Sequence, residues 1–465
     1  MPAMTSTPLL ATPIAAMRAP VSAGLSRSLA WRLEQLDRLA ALLSQHEAEV
    51  LEALAADLGK PPLEATFELI AVRQELALTR RKLKSWMAPR AIGLDLALRP
   101  GQAWVQAEPL GCVLIIGPWN YPFQLCLHPL VSALAAGNTA VLKPSEHAPR
   151  TAALLARAIP AAFPAEVVQV VTGDGAAAAA LLEEQFDHIF FTGGGRVGRL
   201  VMAAAARHLT PVTLELGGKS PAIVLTDADI ATSARRLAWG KGLNAGQTCI
   251  APDHVLVQAP LEGELVAAIA AEWARFYGPD PLASDDLGCI VNDVQFQRLE
   301  ALLAGARQRG QVLVGGRSDA ARRRIEPTVV AVASGDDPLM QEELFGPILP
   351  VQQVADLEAA LVEVRSRPKP LALYLFSTNR SAQERILATT SSGGVCFNDV
   401  VLQAGAAGLP FGGVGESGMG SYHGYAGFLT FSHQRTVLRR PFWLDLPFRY
   451  PPYAGKLALV KRLLG

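Results

Sequence analysis

The stretch His188-Ile-Phe-Phe-Thr-Gly-Gly-Gly-Arg-Val-Gly198 decides the fold. Its apolar start reads as a buried strand, its three glycines as a tight turn, and the residues beyond as the opening of a helix. Gly193, Gly195 and Gly198 have the spacing G-x-G-x-x-G. In that setting glycines let backbone approach a pyrophosphate, while a helix N-terminus supplies N–H donors and positive dipole. Upstream, the apolar runs at 112–116, 139–142 and 167–171 alternate with stretches able to form helices. Such alternation predicts a parallel sheet covered by helices on both faces.

A second series follows, with strands expected at 222–225, 254–258, 328–333 and 372–376 and helices at 229–243, 261–276 and 292–309. The fold class is therefore α/β, with two doubly wound parallel-sheet domains. Leucines at helical spacing predict two amphipathic helices before them, over 26–57 and 63–87. Residues 94–110 alternate around Pro100-Gly101 as a protruding hairpin would, which points to a partner subunit and a homodimer. A flexible tail over 1–25 and a C-terminal tail over 439–465 flank the two α/β domains, the second of which begins near Gly217-Gly218.

Lys plus Arg and Asp plus Glu are both 42 in 465 residues, so no charge footprint for nucleic acid exists. Five cysteines form no C-x-x-C pair and no Cys/His metal spacing, which predicts no metal site and a reducing, cytoplasmic-type compartment. Residues 109–142 carry no formal charge, but Gly117-Pro-Trp-Asn-Tyr-Pro122 and Gly137 break them into pieces too short to span a membrane. The C-terminal Lys456-Leu-Ala-Leu-Val-Lys-Arg-Leu-Leu464 forms a short basic helix suited to packing on the body, capping a tunnel or touching a membrane surface.

Three strings carry the chemistry. Cys249 ends Asn244-Ala-Gly-Gln-Thr-Cys, Glu215 stands in Leu-Glu-Leu-Gly-Gly-Lys, and Glu146 closes Lys143-Pro-Ser-Glu. A lone cysteine is usually a small buried hydrophobe, so its neighbours decide its meaning. An acid some 20 residues beyond a glycine loop commonly holds the ribose. Glu215, 17 residues after Gly198, fits that spacing, yet Glu146 lies at another strand end. Spacing alone leaves the two open.

Taken with Glu342-Glu-Leu-Phe-Gly-Pro347 and Leu409-Pro-Phe-Gly-Gly-Val-Gly-Glu-Ser-Gly418, these strings resemble the aldehyde dehydrogenase superfamily from about residue 26 to 436. Trp239-Gly-Lys, Tyr422-His-Gly and Phe431-Ser-His resemble its class 3 branch, which includes fatty-aldehyde and coniferyl-aldehyde dehydrogenases. The resemblance implies a dinucleotide-binding domain over 26–93 and 111–217, a catalytic domain over 218–411 and a small β oligomerisation arm of 94–110 with 425–438. It also implies oxidation of a small-molecule aldehyde to its acid with NAD, or with NADP as a second acceptor. It implies Cys249 as nucleophile, Asn120 as oxyanion-hole amide and Glu215 as general base rather than ribose ligand. Lys143 and Glu146 would contact the adenosine ribose. Thr192, Gly193, Gly194, Gly198 and Leu216 would bind the rest of the dinucleotide, with Glu343 and Phe345 at the nicotinamide. Where the family commonly has serine early in the glycine loop, Gly193-Gly-Gly195 offers no hydroxyl.

A thiol of pKa near 8.5 needs local help, from a helix N-terminus, a backbone N–H or the nicotinamide ring. After a thiohemiacetal and a thioester, Glu215 would activate water, which favours hydrolysis over transfer to coenzyme A. Tyr121, Trp239, Leu243, Thr248 and Phe411 are the expected pocket, apolar and without a cation for a carboxylated aldehyde. His423 is expected to pack. A semialdehyde or CoA-acylating dehydrogenase and a silent homologue are the competing readings.

Overall fold

The computed structural model describes residues 10–95 and 98–464. A six-stranded sheet runs in the order Gly418–Met419, Val212–Glu215, His188–Thr192, Cys112–Ile116, Thr139–Lys143, Val168–Val170, parallel except for its first pair. Its strands are short and apolar on both faces, because helices cover both sides. One face packs on Leu29–Gln45, Glu47–Leu58 and Pro62–Trp86 through Leu36, Leu39, Leu69 and Val72, all fully buried. These are three helices where two were expected. The chain breaks at His46, and Gly59 in the left-handed region (φ 63°) stops the second helix before Pro62 starts the third.

The second sheet has seven strands in the order Val312–Val314, Thr328–Ala331, Ile348–Val354, His254–Gln258, Pro221–Val224, Ala372–Phe376, Gly394–Phe397. All its pairs are parallel except the first. Two further apolar cores fill its faces. Side-chain caps start its helices where the sequence placed them: Asp229 accepts from the N–H of Thr232, and Asn292 from that of Gln295.

Two boundaries differ from expectation. Within the expected flexible tail 1–25, Ile14–Ser22 is a helix whose Met17 is fully buried, with Arg18 Nε 2.8 Å from Asp187 Oδ2. Ile14, Met17 and Val21, spaced three and four apart, give one apolar face that the Ala- and Pro-rich composition hid. Residues 1–9 lie outside the described residues. The arm is a three-stranded antiparallel sheet of Arg90–Ile92, Gln102–Pro109 and Ser432–Arg439. Residues 425–430, assigned to it, instead belong to the helix Gly424–Thr430, whose buried Phe428 joins the first core. The C-terminal tail ends in the helix Leu457–Leu464, and before it Phe442 and Trp443 are exposed.

Candidate active site

The loop that presents Cys249 is built on strained backbone. Asn244 and Ala245 have φ of 52° and 51°, a region that costs non-glycine residues about 1–3 kcal/mol each. Hydrogen bonds hold them there. Asn244 Nδ2 donates to the carbonyls of Asn120 and Gln247 at 2.9 and 3.0 Å. Gln247 Nε2 donates to the carbonyls of Asn244 (3.0 Å) and Cys289 (2.9 Å), and Gln247 Oε1 accepts from Val291 N–H. The Asn120 carbonyl also accepts from the buried Lys60 ammonium at 2.8 Å, and the Asn120 amide Nδ2 donates to Gln247 O at 3.1 Å. The result is one hydrogen-bonded unit of the Asn120 amide and the thiol loop.

Two cavities meet at Cys249. The first, of about 300 Å³, is lined by Tyr121, Trp239, Leu243, Thr248 and Phe411, with Ile250, Leu371, Val401 and Tyr422. The second, of about 290 Å³, is lined by Asn120, Gly193, Gly194, Glu343 and Phe345, with Trp119, Gln295 and Arg298. Cys249, Glu215, Thr192, Leu216 and Leu125 border both. A group entering from either side therefore reaches the same thiol. All five expected pocket residues lie on the first cavity, and the expected nicotinamide-side residues on the second.

Glu215 ends its strand in parallel register with Thr192. Neither of its carboxylate oxygens has a hydrogen-bond partner among the described residues, and burial pushes its pKa well above the usual carboxylate range. Burial also raises Cys249, with Glu343 and Glu215 adding to the effect; its own N–H and that of Ile250 work the other way. Of the expected sources of help, the helix N-terminus is missing, since Cys249 sits in a turn after Leu243–Gly246.

The dinucleotide fits the second cavity and its surroundings. Gly194 caps the helix Gly195–Ala206 without any side-chain cap, leaving the helix N-terminus for an anion. An added Cβ at Gly194 would meet nothing within 4 Å, whereas one at Gly198 would strike Leu216 at 2.9 Å. Gly194 thus faces open space and Gly198 lets helix and strand close. Thr192 Oγ1 is buried without a partner. Away from this cavity, Lys143 Nζ lies 2.8 Å from Glu146 Oε2, and Glu146 borders a separate slot with Pro149, Ala152 and Ala156. Burial works to raise the Glu146 pKa, but the Lys143 hydrogen bond and a backbone N–H outweigh it and hold the carboxyl below its usual range.

Several wall residues escaped the sequence reading. Phe67, Ile70 and Gln74 come from the helix Pro62–Trp86, and Leu402 and Ala404 from the loop after the last strand. Ile70 and Leu402 are apolar yet half-exposed, which only the folded structure reveals. His423 stacks on Phe411 (centroids 5.3 Å, 16°), as packing predicts, but also lines the first cavity. The 409–418 string closes the sheet: Gly418 pairs with Glu215, and the Ser417 carbonyl accepts from Leu216 N–H at 3.1 Å.

Comparison with known proteins agrees. The family model described as "Aldehyde dehydrogenase family" matches residues 12–437. Aldehyde dehydrogenase family 3 member H1 of Arabidopsis thaliana is 44% identical over 95% of this chain and 92% of its own. The dimeric NADP-preferring aldehyde dehydrogenase of Canis lupus familiaris is 43% identical over 95% and 97%. The solved substrate-bound structure of Staphylococcus aureus AldH superposes with a TM-score of 0.94 at 40% identity, covering 97% of this chain and 98% of that one. The chain belongs to the aldehyde dehydrogenase family.

Proposed function

We propose that this enzyme oxidises medium- or long-chain aliphatic or aromatic aldehydes through a covalent adduct on Cys249 and releases the free acid by hydrolysis. The observation that carries the reading is the junction: Cys249 and Glu215 border both the apolar cavity and the cavity beside the glycine loop.

Cys249 loses its proton to solvent water, and the thiolate attacks the aldehyde carbon. The alkoxide that forms is held by Asn120, whose second amide hydrogen is left over from the bond to Gln247, and by the Cys249 N–H. When bound, NAD(P)+ supplies the hydride acceptor that turns the thiohemiacetal into a thioester. Glu343 and Phe345 would hold its nicotinamide end, and the helix N-terminus at Gly195 its pyrophosphate. Glu215 then takes a proton from water, whose oxygen joins the acyl carbon while the Cys249 sulfur leaves. As Glu215 is buried and raised, it serves as base once pH brings it to the carboxylate.

The apolar walls and the absence of a lysine or arginine on the first cavity favour uncharged aldehyde tails over semialdehydes. Glu146 favours NAD by accepting from two ribose hydroxyls and repelling a 2′-phosphate. The arm sheet is the surface for a homodimer, the exposed aromatic tail with its basic helix one for peripheral membrane contact, and the free thiols suit a cytoplasmic setting. NADH formation across aldehydes from short aliphatic through long-chain to cinnamyl type, with Cys249→Ala as the blank, tests the reading. Highest kcat/KM on long or aromatic aldehydes supports it; a preference for carboxylated aldehydes would overturn the substrate class.

A further inference from the structure

Helix Ile230–Gly242 places Trp239 on the apolar cavity, and two residues later Lys241 turns into the protein. Lys241 has no exposed surface, and its Nζ makes no hydrogen bond among the described residues. An ammonium taken out of water without a hydrogen bond is costly, so its position calls for an electrostatic reason. The nearest carboxylate is Asp253, with Oδ1 3.7 Å away. Asp253 is itself buried and acts as a hub. It accepts from Lys219 Nζ at 2.6 Å and from the N–H of Leu344 at 3.1 Å, the residue between Glu343 and Phe345.

The Glu343 carboxylate packs against Gly217 so closely that an added Cβ would come within 1.9 Å of Oε2. The charged and titratable groups that face Glu343 are Asp253, Lys219, Lys241, Arg298 and the Cys249 thiol.

We infer that Lys241 is a positioning residue for the cofactor: its buried ammonium, 3.7 Å from Asp253 and linked through it to the Glu343–Phe345 loop, favours the Glu343 carboxylate that accepts the ribose hydroxyls. This rests on the proposed cofactor role of Glu343. Burial and Asp253 push the Glu343 pKa up to about 8, while Lys219 and Lys241 act to lower it. Lys241 is pushed down to about 8, chiefly by burial, with Asp253 opposing. A carboxylate accepts from both ribose hydroxyls and a carboxylic acid does so poorly, so NAD affinity should rise with pH through the Glu343 titration. Removing the Lys241 charge withdraws support from the carboxylate and moves that rise to higher pH.

The test is the Kd for NAD+ by calorimetry, without aldehyde, from pH 6 to 9.5, in wild type, Lys241→Met, Lys241→Gln and Glu343→Gln. The two lysine variants guard each other against a packing fault, which circular dichroism reports. The expected result is a midpoint shifted upward by about one pH unit in both lysine variants, with kcat at saturating NAD+ changed less than twofold. Glu343→Gln should weaken binding at high pH and flatten the profile. Lysine-variant profiles that overlay wild type, beside a flat Glu343→Gln profile, would overturn the role of Lys241. A Glu343→Gln profile identical to wild type would instead overturn the cofactor role of Glu343.

Discussion

The side-chain amide of Asn120 donates to the main-chain carbonyl of Gln247 at 3.1 Å, which ties the proposed oxyanion donor to the loop carrying Cys249. Strand Cys112–Ile116 delivers one and the catalytic domain the other, 127 residues apart in the chain. Preorganisation of that kind is what makes such a donor effective, because nothing must reorient as charge develops.

Replacing the two partners should therefore separate catalysis from folding. Asn120→Ala should lower kcat roughly 10²–10³-fold, about 3–4 kcal/mol, with a small change in melting temperature. Gln247→Ala breaks three side-chain hydrogen bonds, two of them buried, and leaves their partners unsatisfied, so it should also destabilise the fold by about 2–4 kcal/mol. Steady-state rates and denaturant unfolding of both variants check the contrast.

Glu215 should make stability fall as pH rises. Its folded pKa lies above the unfolded value of about 4.3, so the folded state binds more protons in the interval. Stability is complete below the unfolded pKa and is lost as pH climbs toward the folded one, at roughly 1.4 kcal/mol per unit. Glu215→Gln should thus melt higher than wild type at pH 8 and match it at pH 4. Calorimetric scans at the two pH values decide it; equal differences at both would contradict the burial argument.

Cofactor choice should follow Glu146. Glu146→Gln removes the charge that repels a 2′-phosphate and leaves Lys143, 2.8 Å away in the wild type, without its counter-charge. The ratio of kcat/KM for NAD over NADP should fall on the order of tenfold. An unchanged ratio would sink the assignment.

The apolar cavity should set chain length. Ala404 stands on its wall next to Leu402, and Ala404→Trp fills that space. Decanal should lose at least tenfold in kcat/KM while propanal is little affected, the scale expected when a pocket excludes methylenes. Equal losses for both would mean that the aldehyde enters elsewhere.

Local strings made the chemistry legible. Cys249, Glu215, Asn120 and the glycine loop each sit in a contiguous motif, and strand-length apolar runs give away both sheets because helices bury them on two sides. What distant segments build was not legible. Phe67 and Ile70 reach the cavity from a helix read only as amphipathic, and Arg90–Ile92, read as part of the first domain, pairs with Gln102–Pro109 of the arm sheet instead. The helix Ile14–Ser22 shows the same limit, because its three buried apolar residues lie within an Ala- and Pro-rich run. Lys241 could be read as part of a string but not as buried, since burial of a lysine runs against its usual place.

The account rests on a thioester at Cys249 that Glu215 helps to hydrolyse. Intact-protein mass spectrometry of Glu215→Gln, mixed with NAD+ and a long-chain aldehyde and quenched in acid, tests this directly. The prediction is an added acyl mass on the peptide containing Cys249, removed by hydroxylamine and missing from Cys249→Ala. Continued turnover by Glu215→Gln at the wild-type rate, with no acyl mass on that peptide, would contradict it.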